Sequence, residues 1–181
     1  FSSRRDSNNN NSSSTTTYLR SYRYDLSKLS IQSSQKSAKH FNGLFGMLAL
    51  SESEILVVEL EDFNGFGTRT VIQRIFYTQL DLSASVDHCV SLNNCDVQAS
   101  PTYLIWEGNL NNHLDAIGFG PPLVQDGQEV PTIALAFEDN FNIGARFELY
   151  TLDLERLREF AAKAEPYATS SDTDQLLRQR T

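Results

Sequence analysis

"ILVVELEDFNGFGTRTVIQRIFYTQL", residues 55–80, decides how this chain folds. Leu56, Val58 and Leu60 point one way while Glu59 and Glu61 point the other, the period-2 pattern of a half-buried strand whose glutamates form its wet face. The second half, from residue 68 to 82, is rich in β-branched and aromatic side chains. Its Ile72, Phe76 and Leu80 share a face with Arg74 and Thr78, which predicts a bend or bulge. Between the two runs stands Asn64–Gly65, a pair that tolerates positive φ and is a strong short-range signal for a hairpin. A phosphate loop would need G-x-x-x-x-G-K-[ST], or a third glycine opening a helix. Gly65 and Gly67 lead instead into Thr68, Arg69 and Thr70, so they turn the chain.

Upstream, "HFNGLFG" (40–46) sits at a comparable strand boundary, and the apolar run after it is split from residue 55 by "SESE". Residues 25–40 are polar with scattered Leu26, Leu29 and Ile31, a loop or short helix. Downstream, residues 83–101 form a polar connection and "TYLIWEG" (102–108) another strand. Residues 109–131 read as a long loop holding three of the five prolines. "TIALAFE" (132–138) and "ARFELYTL" (145–152) form a second hairpin with Asn142 and Gly144 as turn residues. Asp153 then caps a helix with the apolar stripe Leu154, Leu157, Phe160/Ala161 and Ala164, a Glu159–Lys163 pair, and Pro166 as its stop. The expected fold is therefore mainly β: an antiparallel, barrel-like or strongly bent sheet of six to eight strands with one C-terminal amphipathic helix as its lid. This order of elements resembles both a lipocalin-like cup and a pleckstrin-homology-like barrel plugged by a C-terminal helix. The single Trp106 stands mid-chain rather than in a first-strand Gly-x-Trp, and no basic cluster suits phosphoinositides.

Three parts are expected: a low-complexity arm over residues 1–24, one β-rich domain over 25–166, and a loose tail over 167–181. The arm carries Arg4, Arg5, Arg20 and Arg23 against Asp6, a net +3, so the total of −8 leaves −11 for the rest. That acidity argues against a nucleic-acid binder. No apolar run reaches the length of a membrane helix. Arg- and Ser-rich and poor in acids, the arm is either a disordered hook or a targeting segment. With its leading Phe it resembles the plastid transit sequences of algae with red-lineage plastids. That resemblance implies a plastid protein, stromal or associated with thylakoids, with secretion as the alternative.

Candidate chemistry is sparse. Cys89 and Cys95 in "DHCVSLNNCD" can pair as a disulfide in an oxidising compartment, remain free thiols, hold a chromophore, or join His88 in an incomplete zinc set. Neighbours on an extended chain point apart, so His88 and Cys89 are not a ready dyad. "EDNFNIG" misses the calcium-loop register, and His40 and His113 stand singly in polar loops. Phe41, Phe45, Phe63, Phe66, Phe119 and Phe141 lie in or beside glycine-bearing loops. They either plug the barrel ends, which the transfer energy of phenylalanine favours, or form a patch for a protein partner. No catalytic set, metal site or cofactor is expected. The expected function is non-enzymatic: an auxiliary or assembly subunit of a larger, plastid photosynthetic complex, docking on protein subunits through aromatic loops and flexible ends. The alternative is a lipocalin-like carrier or lyase-like barrel holding a pigment, lipid or other apolar ligand, lined by Tyr77, Tyr103 and Trp106.

Overall fold

In the computed structural model the chain is described over residues 20–27, 39–65, 68–109, 113–138 and 145–167. The stretch 55–80 forms the centre of a four-stranded antiparallel meander. Its strands are β1 (Lys39–Ala49), β2 (Glu54–Gly65), β3 (Thr68–Gln79) and β4 (Thr102–Asn109), in that order. A second, three-stranded meander follows: β5 (His113–Gln125), β6 (Gln128–Glu138) and β7 (Ala145–Thr151), then the helix α1 (Leu154–Lys163). The structure is thus mainly β with antiparallel sheets and one C-terminal helix. The barrel expectation is corrected: the described strands form two sheets, of four and three strands, with no ladder joining them. β5 lies against β1 and reaches β3 of the first sheet, and Gly46 of β1 lets Ile117 of β5 come close; a Cβ on Gly46 would lie 3.4 Å from the Ile117 methyl. Beside β4 and β7, α1 packs between the layers.

Both glycine stretches are redrawn. "HFNGLFG" is no boundary but lies wholly inside β1, where the register shifts between Leu44 and Gly46. The Phe41 ring folds over Gly43 on the same strand. The hairpin between β2 and β3 is present, but Asn64 and Gly65 still pair with Arg69 and Thr68. The link between these paired residues, 66–67, lies outside the described residues. Residues 113–125, expected as loop, are a strand. Pro121 and Pro122 fit because β5 is an edge strand and its register to β6 shifts between Gly120 and Leu123. Asp126 and Gly127, both at positive φ (51° and 77°), make the tight β5–β6 turn. The bulge expected in β3 falls instead on its partner: Ile75 and Phe76 pair with Trp106 and Leu104, leaving Ile105 of β4 as the extra residue. The expected Asn142–Gly144 turn and the tail beyond residue 167 lie outside the described residues, as does all of the arm but residues 20–24.

The main core lies between the sheets. Leu56, Val58, Ile75, Tyr77 and Tyr103 meet Leu114, Ile133, Leu135 and Phe137, with Leu152 and Ala161 closing the helix side. The largest departure from sequence is the outer face of the first sheet, which is also buried. Ile55, Val57 and Phe76 pack there beneath Tyr24 and Tyr167. Glu59 and Glu61, read as the wet face of β2, are fully buried. Their charge is answered locally. The Tyr24 hydroxyl donates to Glu59 at 2.7 Å, the Ser27 backbone N–H donates to it at 3.0 Å, and the Ser27 hydroxyl donates to it as well. Burial, then the Glu59 charge, pushes the Tyr24 phenol far above its ordinary value. Arg74, also fully buried, donates to Glu61 at 2.8 Å and to Glu107 at 2.7 Å, and His40 Nε2 lies 2.9 Å from Glu61. Residues 20–27 thus form a strap across this face, with Tyr22 bridging to Ser85.

A buried ion pair costs most when half of it is removed. Arg74→Met is expected to lower stability by about 3–5 kcal/mol in chemical denaturation, with Arg74→Lys recovering only part of the loss, because one ammonium cannot reach two carboxylates as a guanidinium does.

Candidate functional site

α1 is anchored at its start and on one flank. Asp153 caps it by accepting the Arg156 backbone N–H at 2.9 Å, and Leu154, Leu157, Ala161 and Ala164 turn toward the core. Arg158 makes a two-point contact with Glu54 at the start of β2, Nε to Oε1 and Nη2 to Oε2, both 2.7 Å. Glu54 also accepts from the Tyr77 hydroxyl at 2.5 Å and from Ser51 at 2.8 Å. The Arg158 guanidinium, with the Tyr77 and Ser51 hydroxyls helping, holds the Glu54 carboxyl down at about 2, against the pull of burial. Burial, with the Glu54 carboxylate beside it, pushes the Tyr77 phenol up to about 12.

Across the helix from this latch lies a cavity of about 490 Å³, open on one side. Its walls come from both sheets and from α1: Ile75 and Trp106, Ile133 and Leu135, and Leu157 and Phe160. The polar lining residues are Tyr150, Thr151, Asp153 and Arg156. The Tyr150 hydroxyl is committed to Glu148 at 2.5 Å, which raises its pKa, and Glu148 also pairs with Arg146 at 3.0 Å. Volume and lining fall in the range of small-molecule sites: mostly apolar walls with a few polar groups at the rim. Such a surface offers apolar contact and one cationic hydrogen-bond donor.

The expected ligand-lining residues separate. Trp106 lines the cavity, whereas Tyr77 is tied to the Glu54 latch and Tyr103 is packed in the core. The phenylalanines also divide. Phe63 is buried at 5% exposure, edge-on to His40; Phe41 and Phe119 are each 58% exposed, and Phe45 is exposed as well. Phe66 and Phe141 lie outside the described residues. Cys89 and Cys95 are joined in a disulfide, with Cα atoms 5.6 Å apart, in the connection that holds a 3₁₀ turn at Leu92–Asn94. His88 sits beside them, its ring nitrogen and the two sulfurs within 4.8 Å of one another, but bonded sulfurs lack the thiolate a zinc ion takes. His40 is not a lone surface residue but a contact of Glu61.

Sequence reasoning missed Glu54, Arg156 and Arg158. A signal for Arg158 existed: on a helix it projects off the apolar stripe toward one flank, while Arg156 projects to the other. No helix among the described residues is long and apolar enough to cross a membrane. Comparison of the chain with protein-family models, with curated proteins and with solved structures finds no match.

The latch predicts acid sensitivity with a definite sign. The Glu54 pKa is lowered on folding, so its stabilisation is complete above the ordinary value of 4.5 and drains away as pH falls toward about 2. A shift of this size corresponds to at most about 3 kcal/mol, and less here because Arg158 is half exposed to solvent. Thermal midpoints measured between neutral and strongly acid pH are expected to fall through that window, and Glu54→Gln to flatten that part of the curve while lowering the neutral-pH midpoint.

Proposed function

We propose that this chain is a non-catalytic binding protein that houses an elongated apolar molecule in the cavity between its two sheets and α1. The single observation that carries this reading is the cavity itself. A chain able to bury Tyr77 and Phe76 completely leaves Ile105, Trp106, Leu157 and Phe160 partly or fully exposed around an open space of about 490 Å³. Filling that space with an apolar ligand removes their surface from water at roughly 25 cal/mol per Å². Of the expected carrier residues, Trp106 serves the site; Tyr77 and Tyr103 support it from within the packed layer.

Trp106 is the chain's only tryptophan, which makes it an internal reporter. Titration of the full chain with hexadecanol is expected to shift Trp106 emission to shorter wavelength and to saturate. Leu135→Phe, which places a ring in the space, is expected to weaken binding about tenfold, a little over 1 kcal/mol. Unchanged Trp106 emission at the solubility limit of the probe would refute the reading.

A second reading, the auxiliary subunit that docks on protein partners, is favoured by a separate observation. The register places Ala116, Gly118, Ala134, Ala136, Phe147 and Leu149 on the outer face of the three-stranded sheet, and Phe147 is 72% exposed. A smooth apolar sheet face of this kind suits a protein subunit. The plastid setting belongs to this second proposal and is supported only by the composition of residues 1–24. Mass photometry of the native protein in a gentle extract distinguishes the two: a species of about 20 kDa alone counts against the subunit.

A further inference from the structure

Resting on the carrier reading, we infer that the ligand is an anionic amphiphile, a long apolar chain ending in a carboxylate, and that Arg156 is the residue that binds its head. Three observations converge on this residue. Arg156 lines the cavity, and it lies on the exposed side of α1 beside Phe160, one turn further along the same flank. Its guanidinium makes no hydrogen bond or ion pair with any described residue, unlike Arg23, Arg74, Arg146 and Arg158, each of which is paired with a carboxylate.

Asp153 and Glu148 each have another partner among the described residues, although an accepted N–H leaves the Asp153 charge in place. Asp153, the acidic group in the lining, accepts the backbone N–H that opens the helix, and Glu148 beside Tyr150 is shared by the Tyr150 hydroxyl and Arg146. In a protein with a net charge of −8, a guanidinium unpaired among the described residues at the mouth of an apolar space is a local attraction for one negative group. Its planar fork matches a carboxylate, which can accept two parallel N–H bonds from it. The apolar wall below, from Phe160 and Leu157 to Ile75 and Leu135, takes the chain. A cationic head would meet Arg156 with like charge, and a neutral head would gain only a weaker hydrogen bond.

The test compares palmitate, hexadecanol and hexadecyltrimethylammonium at pH 8, read by Trp106 emission on the full chain. Palmitate is expected to bind about tenfold more tightly than hexadecanol, and the cationic probe more weakly than either. Arg156→Gln is expected to erase the palmitate advantage, lowering palmitate affinity far more than hexadecanol affinity. Lys163→Gln, which removes an exposed cation elsewhere on α1, is expected to alter neither. Added salt is expected to shrink the palmitate advantage in the unaltered chain alone. Equal affinity for palmitate and hexadecanol, or a palmitate preference that survives Arg156→Gln, would overturn the assignment while leaving the carrier reading intact. No emission change with hexadecanol or palmitate would remove both.

Discussion

Two antiparallel sheets that share a core without a ladder between them, and leave room for α1 and a cavity beside β4 and β7, set the other features of this molecule. Gly46 sets one close approach: without a side chain there, Ile117 of the second sheet approaches the backbone of β1 directly. The layers do not close in this way beside β4 and β7. β4 and β7 are edge strands, and the space between the layers there is occupied by α1 and the cavity. The layers therefore share a core rich in Leu56, Ile75, Leu135 and Phe137 without forming a continuous ladder. The open edge that results leaves the cavity between the layers accessible from outside.

The same geometry forces an answer on the outside of the first sheet. β2 and β3 are its central strands, and the strap of residues 20–27 together with Tyr167 covers their outer face. A carboxylate in that position must be paired or must lose its charge. The chain pairs it twice over. Tyr24 and Ser27 bring neutral donors to Glu59, and Arg74 spans Glu61 and Glu107 as a bridge between β2 and β4. Burial disfavours the Arg74 charge, yet the two carboxylates outweigh it and hold the guanidinium above its ordinary value. The polar layer ties three strands and the strap together, so it fixes register where apolar side chains alone would tolerate slippage.

What the sequence revealed follows the reach of each signal. Local period and cap chemistry located β2, β3, β4, β6, β7 and α1, because Val58 against Glu59, or Asp153 before Leu154, is decided within a few residues. β5 was hidden because Pro121, Pro122 and two glycines in residues 113–125 imitate loop composition, although Asp126–Gly127 marked a turn with strands on both sides. The burial of Glu59 and Glu61 was invisible for a different reason. Alternation reports that two faces differ, not that one is wet, and here the polar face meets a strap whose tyrosine lies 35 residues away. Arg74 inside "VIQRIFY" was the available clue, since a cation amid such neighbours needs buried acids. For the cavity, Trp106 was legible and Arg156 was not, because an exposed helical arginine acquires meaning only when the opposing sheets are in place.

α1 explains why that space persists instead of collapsing. At about 100° per residue, the stripe through Leu157 and Ala161 faces the core, Arg158 projects to one flank, and Arg156 and Phe160 project to the other. The Arg158–Glu54 contact pulls the first flank down onto β2, reinforced by the Tyr77 hydroxyl from β3. A rigid helix pinned along one flank cannot also roll its other flank into the gap, since a rotation that buried Phe160 would carry Arg158 away from a carboxylate that is itself buried. Losing that pairing would forfeit a stabilisation of at most about 3 kcal/mol, enough to offset much of the roughly 1.5–3 kcal/mol gained by burying one phenylalanine. The latch therefore opposes closure of the cavity, and a ligand can recover the apolar burial the helix gives up.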